Sequence, residues 1–156
     1  MEKAIFAAGC FWGVELNFSK VEGVSATRVG YSGGDKNNPS YEEVCSKTTG
    51  HAEVIEITYD SNIVSYQELL DKLWEFHDPT TLNRQGPDVG SQYRSAVFYL
   101  NAEQQNLALQ SIIDIDKSGR FKNPIVTEIT AFDEFWPAED YHQQYLEKRG
   151  IKIACV

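Results

Sequence analysis

Apolar and polar positions along the 156-residue chain follow two rhythms. Lys3 to Ala8 is a short apolar run and reads as a strand. Trp12 to Ser19 follows as a short helix, and Val24 to Val29 alternates as a second strand. Gly30 to Pro39 is rich in glycine, asparagine and serine and reads as a long turn. Ser40 with Glu43, and Ser65 with Glu68, have the spacing of capping boxes, the second opening a helix that runs to about His77. Between them, Glu53 to Tyr59 alternates as a strand. Asp78 to Gln92 has no period and holds Pro79, Gly86, Pro87 and Gly90. A loop of that length inside a compact domain is more often functional than idle. Ser95 to Leu100 predicts a strand and Ala102 to Lys117 the longest helix, with Leu107, Ile112 and Ile115 among its apolar positions. Ile125 to Ile129 predicts a further strand and Glu139 to Lys148 a last helix, before a tail from Gly150 to Val156. Strands and helices mixed in this order predict an α+β fold, a two-layer sandwich of one sheet with helices packed on it. No repeat or linker-like stretch interrupts it, so residues 1–156 read as one domain.

Composition narrows the partners rather than the fold. Apolar residues are 42% and charged residues 24%, enough for a core without disulfide staples. The net charge of −9 argues against nucleic acid as a partner. No basic leader precedes an apolar stretch and no run is long enough to span a membrane, so the expected location is the cytoplasm. Cys10, Cys45 and Cys155 are three in number and widely spaced. Without a C-x-x-C pair they suggest neither a zinc site nor a disulfide framework. Three free thiols in a reducing compartment is the plain reading, and redox chemistry the sharper one.

Candidate chemistry gathers at four places. Cys10 lies in Gly9-Cys10-Phe11-Trp12-Gly13, at a strand-to-helix turn. The unpaired N–H groups of a helix start favour a thiolate there, although a buried cysteine also serves as a small hydrophobe. Tyr31 stands in a glycine-rich loop with Tyr41 ten residues on. In Gly50-His51-Ala52-Glu53, His51 and Glu53 are two apart and share one face of a strand. Asp88 to Ser95 forms the end of the long loop. Each has a structural reading as well: tyrosines pack at sheet edges, a His/Glu pair sits at the surface, Asp88 makes a turn. Cys45 reads as structural, and His142 and Tyr145, three apart on the last helix, are placed to meet each other and the core.

Five segments in order, Gly9-Cys10-Phe11-Trp12-Gly13, Gly30 to Gly34, Gly50 to Val54, Gln92-Tyr93-Arg94-Ser95 and Phe135 to Gln143, resemble the peptide methionine sulfoxide reductase A family over almost the whole chain. The resemblance implies a ferredoxin-like core and reduction of the S epimer of methionine sulfoxide in proteins, peptides and the free amino acid. It makes Cys10 the nucleophile at sulfur and Glu53 the acid that protonates the sulfoxide oxygen. Tyr41 and Tyr93 become the hydroxyl donors to that oxygen, and Phe11 and Trp12 the seat of the S-methyl group. Asp88 becomes the acceptor for the substrate backbone, and His51 joins the substrate-binding set. Cys155 would resolve the Cys10 sulfenic acid to a disulfide that thioredoxin, or dithiothreitol, then reduces. The implied enzyme is a monomer that repairs oxidative damage and needs no metal, flavin or nucleotide. Two other classes stay open on the residues: a cysteine hydrolase or acyltransferase with His51 or His142 as base, and a non-catalytic module that grips an apolar cation or methionine-rich peptide.

Overall fold

A computed structural model describes residues 1–152, and Cys155 lies outside the described residues. The strands are β1 (Glu2–Ala8), β2 (Val24–Ser32), β3 (Ala52–Tyr59), β4 (Arg84–Gln85), β5 (Asp88–Val89), β6 (Ser95–Tyr99), β7 (Glu128–Ala131) and β8 (Trp136–Pro137). The helices are α1 (Phe11–Ser19), α2 (Tyr41–Cys45), α3 (Tyr66–Phe76), α4 (Ala102–Ser118) and α5 (Tyr145–Lys148).

Six strands form one sheet in the order β7-β6-β1-β3-β2-β8. Its middle, β6-β1-β3-β2, is antiparallel throughout. With α1 joining β1 to β2 and α3 joining β3 to β6, this is the ferredoxin-like arrangement. α4 then carries the chain back to place β7 parallel to β6. The continuous apolar run of β1 is explained by burial on both sides. Ala4, Phe6 and Ala8 join Ile55 and Ile57 against Val14 and Phe18 of α1, Leu69, Leu70 and Leu73 of α3 and Ala108 of α4. Ile5 and Ala7, with Val54 and Phe98, face the other way and are covered by Phe132 and Phe135. A third cluster, Phe11, Val29, Tyr31, Val44 and Ala138, closes the end of the sheet where α1 begins.

Both capping boxes form as their spacing predicts, at Ser40 and at Ser65. The differences from the sequence reading lie where side chains compete with the backbone. The strand read as ending at Val29 continues to Ser32, because β3 pairs with it through Ser32↔Ala52. The structureless loop Asp78–Gln92 contains the β4–β5 hairpin and a 3-10 turn, Ser91–Tyr93. The strand read over Ile125–Ile129 begins at Glu128, since the Ile125 N–H is taken by Asp116 and the Val126 N–H by Pro79 O. The last helix is the largest correction. It is a 3-10 turn, Asp140–His142, followed by Gln144 at φ 49 and only then α5. Gln143 spends its amide on both backbone groups of Val29, and the Gln144 N–H goes to Glu15. Those long-range bonds replace the i→i−4 ladder.

Candidate active site

Cys10 is the N-cap residue of α1, directly after Gly9 at φ 95. A Cβ at Gly9 would stand 2.7 Å from the Gln85 side chain, so glycine lets the β4–β5 hairpin close over the turn that carries Cys10. The N–H groups of Trp12 and Gly13 point at the Cys10 sulfur and favour a thiolate. They do not prevail. Burial, followed by the nearby Glu53 carboxylate, pushes the thiol up to about 12. The pull of the helix start toward a thiolate is present as read, but burial and Glu53 oppose it.

Glu53 sits on β3 opposite Tyr31 and points at the first turn of α1. It is 1% exposed. Its Oε1 accepts the Phe11 N–H at 3.1 Å, and its Oε2 is buried with no partner among the described residues. Burial pushes the carboxyl up to about 8, against the lowering effect of the Phe11 bond. A carboxyl with that value is mostly protonated at neutral pH and can give a proton.

The hydroxyls arrive from two other elements. Tyr41 begins α2, its backbone N–H bonded to Glu139 Oε2 at 3.0 Å. Burial, followed by the nearby Cys45 thiol, raises its hydroxyl above the ordinary phenol range. Tyr93 ends the 3-10 turn before β6. Burial pushes it up to about 12, with the charges of Glu53, Cys45, Asp88 and Cys10 adding to the effect. Asp88 on β5 acts electrostatically on Cys10, Glu53 and Tyr93 alike. Cys10, Glu53, Tyr41, Tyr93 and Asp88, scattered over 84 positions of sequence, thus share one electrostatic neighbourhood.

Phe11 and Trp12 wall the same place. Phe11 is buried against Tyr31, ring centroids 5.8 Å apart. Trp12 is half-buried and stacks on Tyr145 at 3.8 Å. His51 does not share the strand face of Glu53. It precedes β3, is 2% exposed, and spends both ring nitrogens on backbone: Nδ1 accepts the Gly34 N–H at 3.0 Å and Nε2 lies 2.6 Å from Lys36 O. A Cβ at Gly34 would meet Thr49 O at 2.3 Å, so glycine allows the two loops to touch. The His51 ring is thereby a tie between loops.

Three residues at this site carry more than the sequence reading gave them. Glu139, read as an acid suited to a helix start, accepts from the Tyr31 hydroxyl at 3.0 Å and from Tyr41 N. His142 lies beneath Trp12 and Tyr41. Cys45, read as structural, contacts the Tyr41 hydroxyl. The available signal was position: Glu139 and His142 both fall inside the Phe135–Gln143 segment. No group of three or more His, Cys, Asp or Glu able to hold a metal occurs among the described residues. No helix among them is long and apolar enough to cross a membrane.

The family model described as Peptide methionine sulfoxide reductase matches residues 2–155. The chain is 61% identical over 151 residues to Peptide methionine sulfoxide reductase MsrA of Methanosarcina acetivorans, covering 97% of this chain and 80% of that protein. Among solved structures, Mxr1 from Saccharomyces cerevisiae in reduced form superposes with a TM-score of 0.89 at 34% identity, over 99% of this chain and 88% of that one. A structure of Mxr1 in complex with Trx2 shares the fold at a TM-score of 0.64 and 23% identity, over 92% of this chain and 84% of that one.

Proposed function

Because the chain belongs to the peptide methionine sulfoxide reductase family, and is an oxidoreductase of that kind, we propose that Cys10 and Glu53 together remove the oxygen from the S epimer of methionine sulfoxide in proteins, peptides and the free amino acid. The observation that carries this reading is Glu53: a buried carboxyl, anchored through one oxygen to the start of the nucleophile's helix, with its other oxygen free.

The steps follow from the protonation states. A sulfoxide oxygen carries partial negative charge and its sulfur partial positive charge. Tyr41 and Tyr93 donate to the oxygen, and protonated Glu53 delivers its proton to it. The Cys10 sulfur attacks the substrate sulfur, and its thiol proton refills the Glu53 carboxylate. Protonated Glu53 carries no charge, so one cause of the high thiol value is absent until its proton is given. The resulting S–S bond holds the substrate while its oxygen, protonated a second time through Glu53, leaves as water; water then attacks the Cys10 sulfur, the S–S bond breaks, and one proton returns to Glu53. Methionine and a Cys10 sulfenic acid result, so two electrons pass from Cys10 to substrate and Glu53 ends protonated, as it began. Phe11 and Trp12 seat the methyl group, since sulfur and its methyl pack on ring faces and edges. Asp88 accepts from the substrate backbone. Methyl fixed on one side and oxygen on the other selects the epimer. His51 acts one step back, by holding the Gly34–Lys36 loop.

A second thiol then attacks the sulfenic acid, forming a disulfide and releasing water. Cys155 is assigned this part, and the dithiol of thioredoxin reduces the product, in keeping with the solved Mxr1 complex with Trx2. All electrons come from thiols, and no step uses a bound cofactor. The enzyme acts as a cytoplasmic monomer in repair.

One measurement tests the reading. Protein incubated without reductant with the S epimer of a methionine sulfoxide peptide yields about one methionine per enzyme. Peptide mapping then finds a Cys10–Cys155 disulfide, and Cys155→Ser leaves a Cys10 sulfenic acid that dimedone traps. Failure to convert the S epimer, or equal conversion of the R epimer, overturns the reading. A disulfide to Cys45 would reassign the second thiol.

A further inference from the structure

The seat for the methyl group depends on Trp12, and the structure shows what fixes that indole. Its ring stacks on Tyr145 with planes 8° apart, and the Arg149 guanidinium covers the far side of Tyr145 at 3.8 Å. Stacking sets the plane of a ring but lets it turn within that plane. The orientation comes from one hydrogen bond, Trp12 Nε1–H to His142 Nδ1 at 2.9 Å. An indole N–H only donates. Nδ1 of His142 must therefore be bare, and the neutral ring carries its proton on Nε2.

That second nitrogen is the unusual feature. His142 is 1% exposed, and its Nε2 is buried with no partner among the described residues. Rings of Phe11, Trp12, Tyr41 and Tyr141 enclose it at 5.3, 5.6, 4.5 and 4.1 Å. A buried donor without an acceptor costs roughly 1–3 kcal/mol. A phenylalanine in the same aromatic nest would avoid that cost but would leave the indole N–H unbound. We propose that His142 is a positioning residue for sulfoxide reduction: its bare Nδ1 orients the Trp12 indole that seats the substrate methyl group, and protonation at Nδ1 releases the indole and opens the seat.

This inference rests on the reading of Trp12 given above. The groups facing His142 set the direction of the switch. Glu139, from the same turn, favours the imidazolium; Tyr41 of α2 and Tyr141 are phenols, and Phe11 and Trp12 of α1 carry no charge. Burial outweighs Glu139 and holds the imidazole below its ordinary value of 6.5. The ring is neutral at pH 7. On acidification the incoming proton can land only on Nδ1, where it meets the indole N–H as donor against donor.

The test uses the intact chain, labelled with ¹⁵N, and its three indole N–H resonances, with Trp12→Phe identifying the relevant one. In the free parent protein that resonance lies downfield and moves upfield along a one-proton curve below pH 6.5, in step with the His142 ring. In His142→Phe it is upfield at every pH. The same variant raises KM for a methionine sulfoxide peptide about tenfold, the scale of a lost methyl contact, with kcat changed less than about threefold. His142→Gln, whose amide oxygen can accept the indole proton, restores KM to within about threefold and removes its acid limb. A Trp12 resonance indifferent to both pH and His142→Phe overturns the proposal, as does a fall in kcat with KM unchanged. The resonance is read without substrate, so a parent inactive on methionine sulfoxide would remove the functional reading and leave the link between the rings standing. If His142→Phe does not fold, the parent titration and His142→Gln decide the matter.

Discussion

Glu53 and Glu15 are two buried acids joined to the same helix, 1% and 2% exposed, and they are treated in opposite ways. Glu15, in the middle of α1, has every near lone pair used. Its Oε1 accepts the Gln144 N–H, and its Oε2 accepts the Thr27 hydroxyl and the Gln144 side-chain amide, each at 2.8 Å. Glu53, under the first turn, has one bond from Phe11 and one empty oxygen. Burial raises both carboxyls, but three bonds to the charged form hold Glu15 back, and only one opposes the rise at Glu53. The same residue type, at the same depth, becomes a fastener in one place and a carboxyl that keeps its proton in the other. What separates them is how many N–H and O–H groups the fold brings to the carboxylate.

The strongest way to break this contrast is Glu53→Gln. The amide keeps a group for Phe11 N–H to bond and loses the proton to give, so turnover on the S epimer falls about 10²–10⁴-fold. Stability moves the other way. A carboxyl whose folded value lies above its unfolded value of about 4.5 stabilises the fold fully below that pH and loses its contribution as pH rises through about 8. The Gln variant gains on the parent by about 1.4 kcal/mol per pH unit across that window. Parent activity with dithiothreitol, read at saturating substrate, declines as pH rises through the same value. Urea midpoints of the two proteins at pH 5, 7 and 9 check the sign. Equal midpoints at all three would show that Glu53 is ionised without strain and is no reservoir of protons.

Glu15→Ala gives the complementary result. It strands the Thr27 hydroxyl and two donors of Gln144, and should lower unfolding stability by about 2–3 kcal/mol at pH 7. The chemical step, measured as single-turnover methionine formation, should change far less than in Glu53→Gln. A drop in single turnover as large as that of Glu53→Gln would erase the distinction between the two acids.

The legibility of the two sites in the sequence differs for the same reason. Cys10, Phe11, Trp12 and Glu53 lie on or beside elements whose hydrophobic period marks them, β1, α1 and β3, so their placement follows from local pattern. The α+β class follows from the same rhythm, whereas the ferredoxin-like core is implied by the resemblance of the five segments. Glu15 and Gln144 escape notice because their roles are settled by partners 129 residues apart. A buried glutamate inside an apolar helix gives no local hint of who will satisfy it. The polar run Glu139–Lys148 has helical composition, yet Gln143 and Gln144 donate to distant groups and Gln144 takes φ 49. Glu139 and His142 could be located only as members of a segment, and their bonds to Tyr41 and Trp12 required the fold. The Cys10 thiol shows the limit of a local rule: the helix start is present as read, but burial and Glu53 outweigh it.

The finest division of the contrast is Thr27→Val, which removes one of the three bonds to Glu15 and keeps the shape of the side chain. The carboxylate retains both Gln144 donors, so the loss is that of a single bond to a charged group, about 1–2 kcal/mol in a urea melt at pH 7. With one fewer donor the Glu15 carboxyl rises further, and the deficit against the parent should shrink as pH falls and the acid is neutralised in both states. Thr27 touches neither Cys10 nor Glu53 in this network, so turnover should match the parent at pH 7. A deficit that stays constant from pH 7 to pH 4 would mean that Thr27 acts through packing in β2 rather than through the charge on Glu15. The number of donors would then not be what distinguishes the two buried acids.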